Sequence, residues 1–261
     1  MISKNTLKLI QSLALKKNRV KENLFLVEGD KNVLETLTSG FKVEKLFATD
    51  TFLNLNSYAV KNAVETSEVT ETDIKKASLL KNPQNSLAIC KLPNQPDLPE
   101  ELKNPLSVYL DGIQDPGNLG TILRICDWFG IDEIFCSLDT ADVFNPKVIQ
   151  ASMGSFCRVQ VWKAAFSAIE SLSKKSQTVI LGAFLDGENI YKEQLTQKAL
   201  IVVGNEGNGI RREVEQKIEK KIKIPSSVVS SKRAESLNVS VATGIIISEI
   251  TRQLHFRSYS K

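Results

Sequence analysis

Three short stretches hold the residue types that could do chemistry. The first is Asp111-Gly-Ile-Gln-Asp-Pro-Gly-Asn-Leu-Gly-Thr-Ile-Leu-Arg124, which begins as an apolar strand pattern ends. Its Pro116-Gly117 pair suits the centre of a type II turn, and Asn118 is then placed to cap the following helix. A helix start offers unpaired N–H groups and the positive end of a dipole, so the turn suits a phosphate or carboxylate. A well-capped structural helix accounts for the same residues equally. The second stretch runs from Ile201 to Ile210 and packs Gly204, Asn205, Glu206, Gly207, Asn208 and Gly209 together. Such a chain must turn sharply or approach a ligand closely. The third joins Ile224-Pro225, a polar loop, and Ser236-Leu237-Asn238-Val239-Ser240. For a single Ser or Asn there, capping is the simple explanation; for Ile224 and Leu237 it is core packing.

These groups need elements to hold them. SVYLD (107–111), DEIFCS (132–137), RVQVW (158–162), TVILGAF (178–184), ALIVVG (199–204) and KIKIP (221–225) read as strands, mostly separated by helical segments. Continuous apolar runs such as LIVV indicate a mainly parallel sheet covered on both faces. The helix after Asn118 should turn Leu119, Ile122, Leu123, Cys126 and Phe129 inward and Thr121, Arg124 and Trp128 outward. A last helix is expected from about Asn238 to Leu254, apolar nearly all round in its first half. The three stretches then lie at C-terminal strand ends, where open α/β sheets place ligands. The glycines do not spell GxGxxG and no GxxxxGK[ST] occurs, which disfavours a dinucleotide fold and a P-loop.

Upstream, helical periodicity through Leu7, Ile10 and Leu13/Ala14 precedes a strand NLFLVEG, a helix from about Asp30 to Leu37, a strand VEKLFAT, a Thr-capped helix TETDIKKASLL and a strand SLAICKL. A small α/β sandwich fits. Pro93, Pro96, Pro99 and Pro105 mark a stiff connector, so we expect domains at 1–92 and 106–261 joined by 93–105. With 261 residues, 42% hydrophobic content and 34 basic against 30 acidic residues, the chain is globular. No apolar run is long enough to span a bilayer, lysines interrupt the N-terminal apolar residues, and a cytoplasmic protein is expected. Cys90, Cys126, Cys136 and Cys157 lack CxxC spacing and are expected as free thiols, with no metal site. Residues 1–21 carry Lys4, Lys8, Lys16, Lys17, Arg19 and Lys21 with no acid, which makes either a phosphate-facing patch or a solvated helix.

DGIQDPGNLGTILR, IVVGNEGNGIRREV and IPSSVVSSKRAESLNVSVATGI resemble, in order and spacing, the three motifs of the SpoU (TrmH) family of RNA 2′-O-ribose methyltransferases, within the SPOUT superfamily. The resemblance covers about 106–255. Arg19, FLVEG at 25–29 and PQNSLAI at 83–89 make the N-terminal part similar to that family's L30e-like substrate-binding domain. The implied fold class is α/β: a C-terminal SPOUT-type trefoil-knot domain with a mainly parallel sheet, preceded by a small L30e-like sandwich.

The resemblance implies S-adenosylmethionine as cofactor, a homodimer, and an RNA substrate, ribosomal RNA ahead of transfer RNA, with neither DNA nor membrane as partner. It places the cofactor at Gly204, Gly207, Ile224 and Leu237, and catalysis at Asn118, Arg124, Glu206, Ser236 and Asn238. Lys16, Lys17 and Arg19 are the candidate RNA contacts. Arg124 is expected to bind the target phosphate and stabilise a developing alkoxide, oriented by Asn118 and Glu206, since a guanidinium is always charged. His255, the only histidine, lies remote in sequence from the motif loops. The ten residues 226–235 are longer than the family pattern and lack its glycine; Lys232-Arg233 there is either an RNA contact or a solvated turn. The competing functions are a catalytically inactive RNA-binding member of the same fold and a small-molecule α/β enzyme.

Overall fold

The computed structural model describes residues 1–194, 198–226 and 234–256, with the side chains of His255 and Phe256 left out. Lys232 and Arg233 therefore lie outside the described residues, as does the side chain of His255. The chain forms two compact units: Met1–Gln95 with Asp142–Arg158, and Pro96–Ala141 with Val159–Lys261.

The first unit contains α1 (Lys4–Ser12), α2 (Lys16–Glu22), β1 (Leu24–Glu28), α3 (Asp30–Leu37), β2 (Val43–Ala48), α4 (Asp50–Leu55), α5 (Ser57–Val60), β3 (Ala63–Glu68), α6 (Glu71–Ala77) and β4 (Ser86–Lys91). Its sheet has the order β1-β4-β2-β3, with β4 antiparallel to both neighbours and β3 parallel to β2. Ile10, Leu13, Leu26, Phe47, Ile74, Leu87 and Ile89 build its core. Thr70 caps α6 through a reciprocal pair with Asp73, as the Thr-led pattern predicts. Asp30, directly after FLVEG, locks onto PQNSLAI: its carboxylate accepts from Asn85 N at 2.9 Å, Asn85 Nδ2 at 2.8 Å and Ser86 Oγ at 2.9 Å. Gly29 between strand and helix sits at φ +89°, which a side chain would strain.

A segment from the second half of the sequence completes this unit. It carries α8 (Pro146–Ser152) and a 3₁₀ turn at Ser155–Cys157. Phe144 and Phe156 pack on Phe25, with ring centroids 4.7 and 6.4 Å away. Arg19 lies buried beneath it. Its Nη2 is 2.6 Å from Asp142 Oδ2, and its Nη1 donates to the carbonyls of Leu13 and Ala14.

The second unit contains β5 (Leu106–Asp111), α7 (Pro116–Trp128), β6 (Glu133–Cys136), β7 (Gln160–Lys163), α9 (Phe166–Lys175), β8 (Val179–Asn189), β9 (Ala199–Gly204), α10 (Arg212–Glu215), β10 (Lys220–Lys223) and α11 (Val239–Phe256). All six strands are parallel, in the order β10-β8-β9-β5-β6-β7. Central β5 and β9 are buried along their whole length, which is what their unbroken apolar runs require. The proline-rich stretch is strapped to this unit. Trp162 Nε1 donates to Asp97 O at 2.9 Å, Leu102 N to Ser176 Oγ at 2.8 Å, and Lys103 N to the buried Glu133 at 3.0 Å.

Cys90, Cys126, Cys136 and Cys157 are free. Burial pushes all four thiols up, to about 12 for Cys136 and about 11 for Cys157, which disfavours the thiolate form. Among the described residues no helix is long and apolar enough to cross a membrane.

Candidate active site

The turn before α7 differs from the sequence expectation. Pro116 is in the first turn of the helix rather than a turn centre, and Asp115 is the cap, accepting from Asn118 N at 2.8 Å. Pro fits a helix start because the missing N–H would be unpaired there. The Asn118 side chain is thereby released for another task. Its Nδ2 donates to Glu206 Oε1 at 2.6 Å, and its Oδ1 accepts from Asn238 Nδ2 at 2.9 Å. Asn238 in turn accepts from Ser240 N at 3.0 Å and Ser240 Oγ at 2.6 Å, and so tethers the start of α11. One chain of hydrogen bonds thus unites the three motif loops, with each amide dipole fixed at both ends.

Supporting bonds hold these loops. Asn205 Oδ1 accepts from the N–H groups of Gly207 and Asn208, while its Nδ2 donates to Gly112 O at 2.8 Å. The Asp111 carboxylate, fully buried at the end of β5, accepts from Arg211 N at 2.8 Å and Arg211 Nε at 2.7 Å. Asp139 lies 3.5 Å from the same guanidinium. The hydrogen bond from Ser137 holds the Asp139 carboxyl below its ordinary range, and the bond to Asp111 holds Arg211 above its own.

Arg124 is exposed about two turns along α7 from Asn118, a rise of roughly 9 Å. Among the described residues its side chain makes no hydrogen bond or ion pair, and Asn118 is committed elsewhere, so the expected orienting contacts from Asn118 and Glu206 are not made. The Ser236 side chain is exposed and makes no hydrogen bond among the described residues; the serine that bonds Asn238 is Ser240. The sequence reading also missed Arg211 and the side-chain bonds of Asn205. Asn205 had a signal, since Asn within a glycine turn often bonds the amides two and three positions on.

Gly204 is buried, and a Cβ there would stand 2.2 Å from Gly209 C and 2.3 Å from Ile210 N. The loop folding back on itself, closed by the paired backbone bonds of Asn205 and Gly209, therefore demands this glycine. Gly207 is exposed at the tip. Ile224 is half-buried and Leu237 is 49% exposed, and among the described residues neither spends its backbone N–H or C=O in a hydrogen bond. Free backbone polar groups beside an uncovered apolar side chain fit a ligand with both a polar edge and an apolar face. In the first unit Lys16 and Lys17 are exposed on α2, whereas Arg19 is withdrawn from the expected RNA contacts because its guanidinium is buried and paired.

The SpoU rRNA Methylase family model matches residues 105–248, more than half of the chain. The chain belongs to this family. An MRM3-like substrate binding domain matches residues 4–88. The SpoU match spans all of Asn118, Arg124, Glu206, Ser236, Asn238 and Ser240. The 23S rRNA (guanosine(2553)-2'-O)-methyltransferase RlmP of Bacillus subtilis (strain 168) is 29% identical over 239 residues, 91% of this chain and 92% of that protein. Among solved structures, a TrmH-family protein from Porphyromonas gingivalis is 39% identical with a TM-score of 0.84, covering 95% of this chain and 98% of its own. An AdoMet-bound rRNA methyltransferase from Sinorhizobium meliloti is 26% identical with a TM-score of 0.82, covering 97% of each chain. The six-stranded parallel unit with a substrate-binding part before it is thus the architecture of SpoU enzymes.

Proposed function

We propose that the protein transfers a methyl group from S-adenosylmethionine to a ribose 2′-hydroxyl of ribosomal RNA, with the C–S bond breaking to leave S-adenosylhomocysteine and the hydroxyl proton passing to solvent. The observation that carries this is the Glu206–Asn118–Asn238–Ser240 network, which brings three motif loops to one place at the C-terminal ends of β5 and β9. S-adenosylmethionine, when bound, supplies an electrophilic methyl group. Gly204, Gly207, Ile224 and Leu237 hold it, largely through backbone groups. Transfer to a hydroxyl then depends on alignment, which can supply on the order of 7–11 kcal/mol of barrier reduction. Asn118, clamped from both sides, orients the loops around the acceptor. Arg124 binds the target phosphate and stabilises the developing alkoxide, a role its permanent charge suits.

The substrate class rests on the rRNA methyltransferases among the relatives and on a 2′-hydroxyl that DNA lacks. Residues 1–92, completed by Asp142–Arg158, act as the RNA-binding domain through Lys16, Lys17 and their neighbours, 93–105 as connector, and the rest of 106–261 as the knotted catalytic domain. The enzyme works in the cytoplasm as a homodimer built on α7 and α11, whose Trp128 and Val241 stand exposed.

The test is transfer of labelled methyl from S-adenosylmethionine to total RNA from a strain lacking the protein, followed by mapping. Label on a ribose of 23S rRNA is expected. Label confined to transfer RNA would move the substrate, and no label would overturn the activity.

A further inference from the structure

Arg211 has no part in the network just described, yet it joins the ends of two of its loops. Asp111 ends β5 and opens the loop leading to Asn118; Arg211 closes the loop that carries Glu206. The Asp111 side chain is fully buried, and it accepts one bond from the Arg211 backbone N–H and others from the Arg211 guanidinium. The same guanidinium reaches Asp139, which receives a 2.7 Å bond from Ser137 Oγ; Ser137 Oγ also accepts from Gly112 N at 2.8 Å. Arg211, Asp111, Gly112, Ser137 and Asp139 therefore close a ring around the base of the Asn118 loop. A buried ion pair often adds little stability over apolar packing, and one of its best-attested uses is to select a single arrangement. Here the arrangement selected is the offset between Asn118 and Glu206.

We propose that Arg211 is a positioning residue: its fork on Asp111 fixes the Glu206 loop against Asn118, so that methyl transfer depends on it although it touches neither cofactor nor ribose. The proposal rests on the methyltransferase function given above. In that setting Arg211→Ala should lower kcat on the order of tenfold at a temperature where the variant is still folded, and because Asp111 then stays buried without its cation the thermal midpoint should also fall. The kcat loss should vanish in a Glu206→Ala background, because the clamp acts only through that carboxylate, whereas a general weakening of the fold would add to it. Arg211→Lys keeps the backbone bond and the charge but loses the fork, and should fall between wild type and alanine.

Hydrogen exchange of the same proteins gives a readout independent of turnover. Arg211→Ala and Asp111→Asn should each speed exchange at the Asn205, Gly207, Asn208 and Gly209 amides on the order of tenfold, leaving α9 unchanged. Unchanged exchange at those amides, or a kcat loss that adds fully to that of Glu206→Ala, would overturn the clamp. A wild-type protein that methylates no RNA would refute the activity instead, and the exchange comparison would still judge the clamp.

Discussion

Asn118 is bonded at both ends of its amide, and Arg124 on the same helix is bonded at neither. That contrast fits the proposed roles, Asn118 building the site and Arg124 engaging the RNA. Arg124→Ala should therefore leave S-adenosylmethionine affinity unchanged by calorimetry and reduce methyl transfer on the order of a hundredfold or more; turnover near wild type would remove Arg124 from the chemistry. Gly204→Ala should do the reverse of the binding half. Its Cβ would overlap the backbone at Gly209 and Ile210, so the loop must open, and affinity for S-adenosylmethionine should fall about tenfold or more. Equal affinity would exclude that loop from the cofactor site. The resemblance to the three SpoU motifs pointed to Asn118, Glu206 and Asn238, whereas the residues alone suggested capping for Asn118 and Asn238. The sequence reading misassigned the cap because Asp-Pro-Gly-Asn offers two capping side chains three residues apart, and only the placement of Pro116 decides between them. It did not single out Ser240, because the helical turn that lets this side chain reach back to Asn238 depends on where α11 begins.

At the scale of elements, strands were legible in proportion to their burial. β9 and β5 present continuous apolar runs and lie where expected, whereas β3, mostly exposed at the edge of its sheet with the sequence AVETSE, carries almost no signal. Charge counts misled for a related reason: Arg19 belongs to a run of cations, and nothing in the run tells which of them is buried. The segment at Asp142–Arg158 illustrates the same limit, since its place in the first unit is set by Phe25, Glu35 and Arg19, far away in sequence. Arg19→Ala would leave Asp142 without its cation and the carbonyls of Leu13 and Ala14 without their donor. A loss of about 3 kcal/mol is expected, seen as a thermal midpoint lower by roughly 10 °C. RNA affinity measured well below that midpoint should hold; a selective loss of RNA binding with intact stability would return Arg19 to the surface role.

For the whole molecule, a net charge of +4 is too small to define an RNA partner, and the distribution matters more. With Arg19 buried, Lys4, Lys8, Lys16, Lys17 and Lys21 remain exposed on α1 and α2. Replacing Lys16 and Lys17 together by alanine should weaken RNA binding and lower the slope of log affinity against log salt by about one to two. An unchanged slope would place the RNA elsewhere. The parallel sheet, its order of elements and the motif positions were readable from patterning and resemblance, but the joining of three distant loops through single side-chain bonds is a property of the folded chain alone. Methyl transfer by this protein requires those loops to form one methyl-donor site. The most direct test is a crystal structure of the protein with S-adenosylmethionine: the donor should lie against Gly204, Gly207, Ile224 and Leu237, and density for it on any other face would contradict the account.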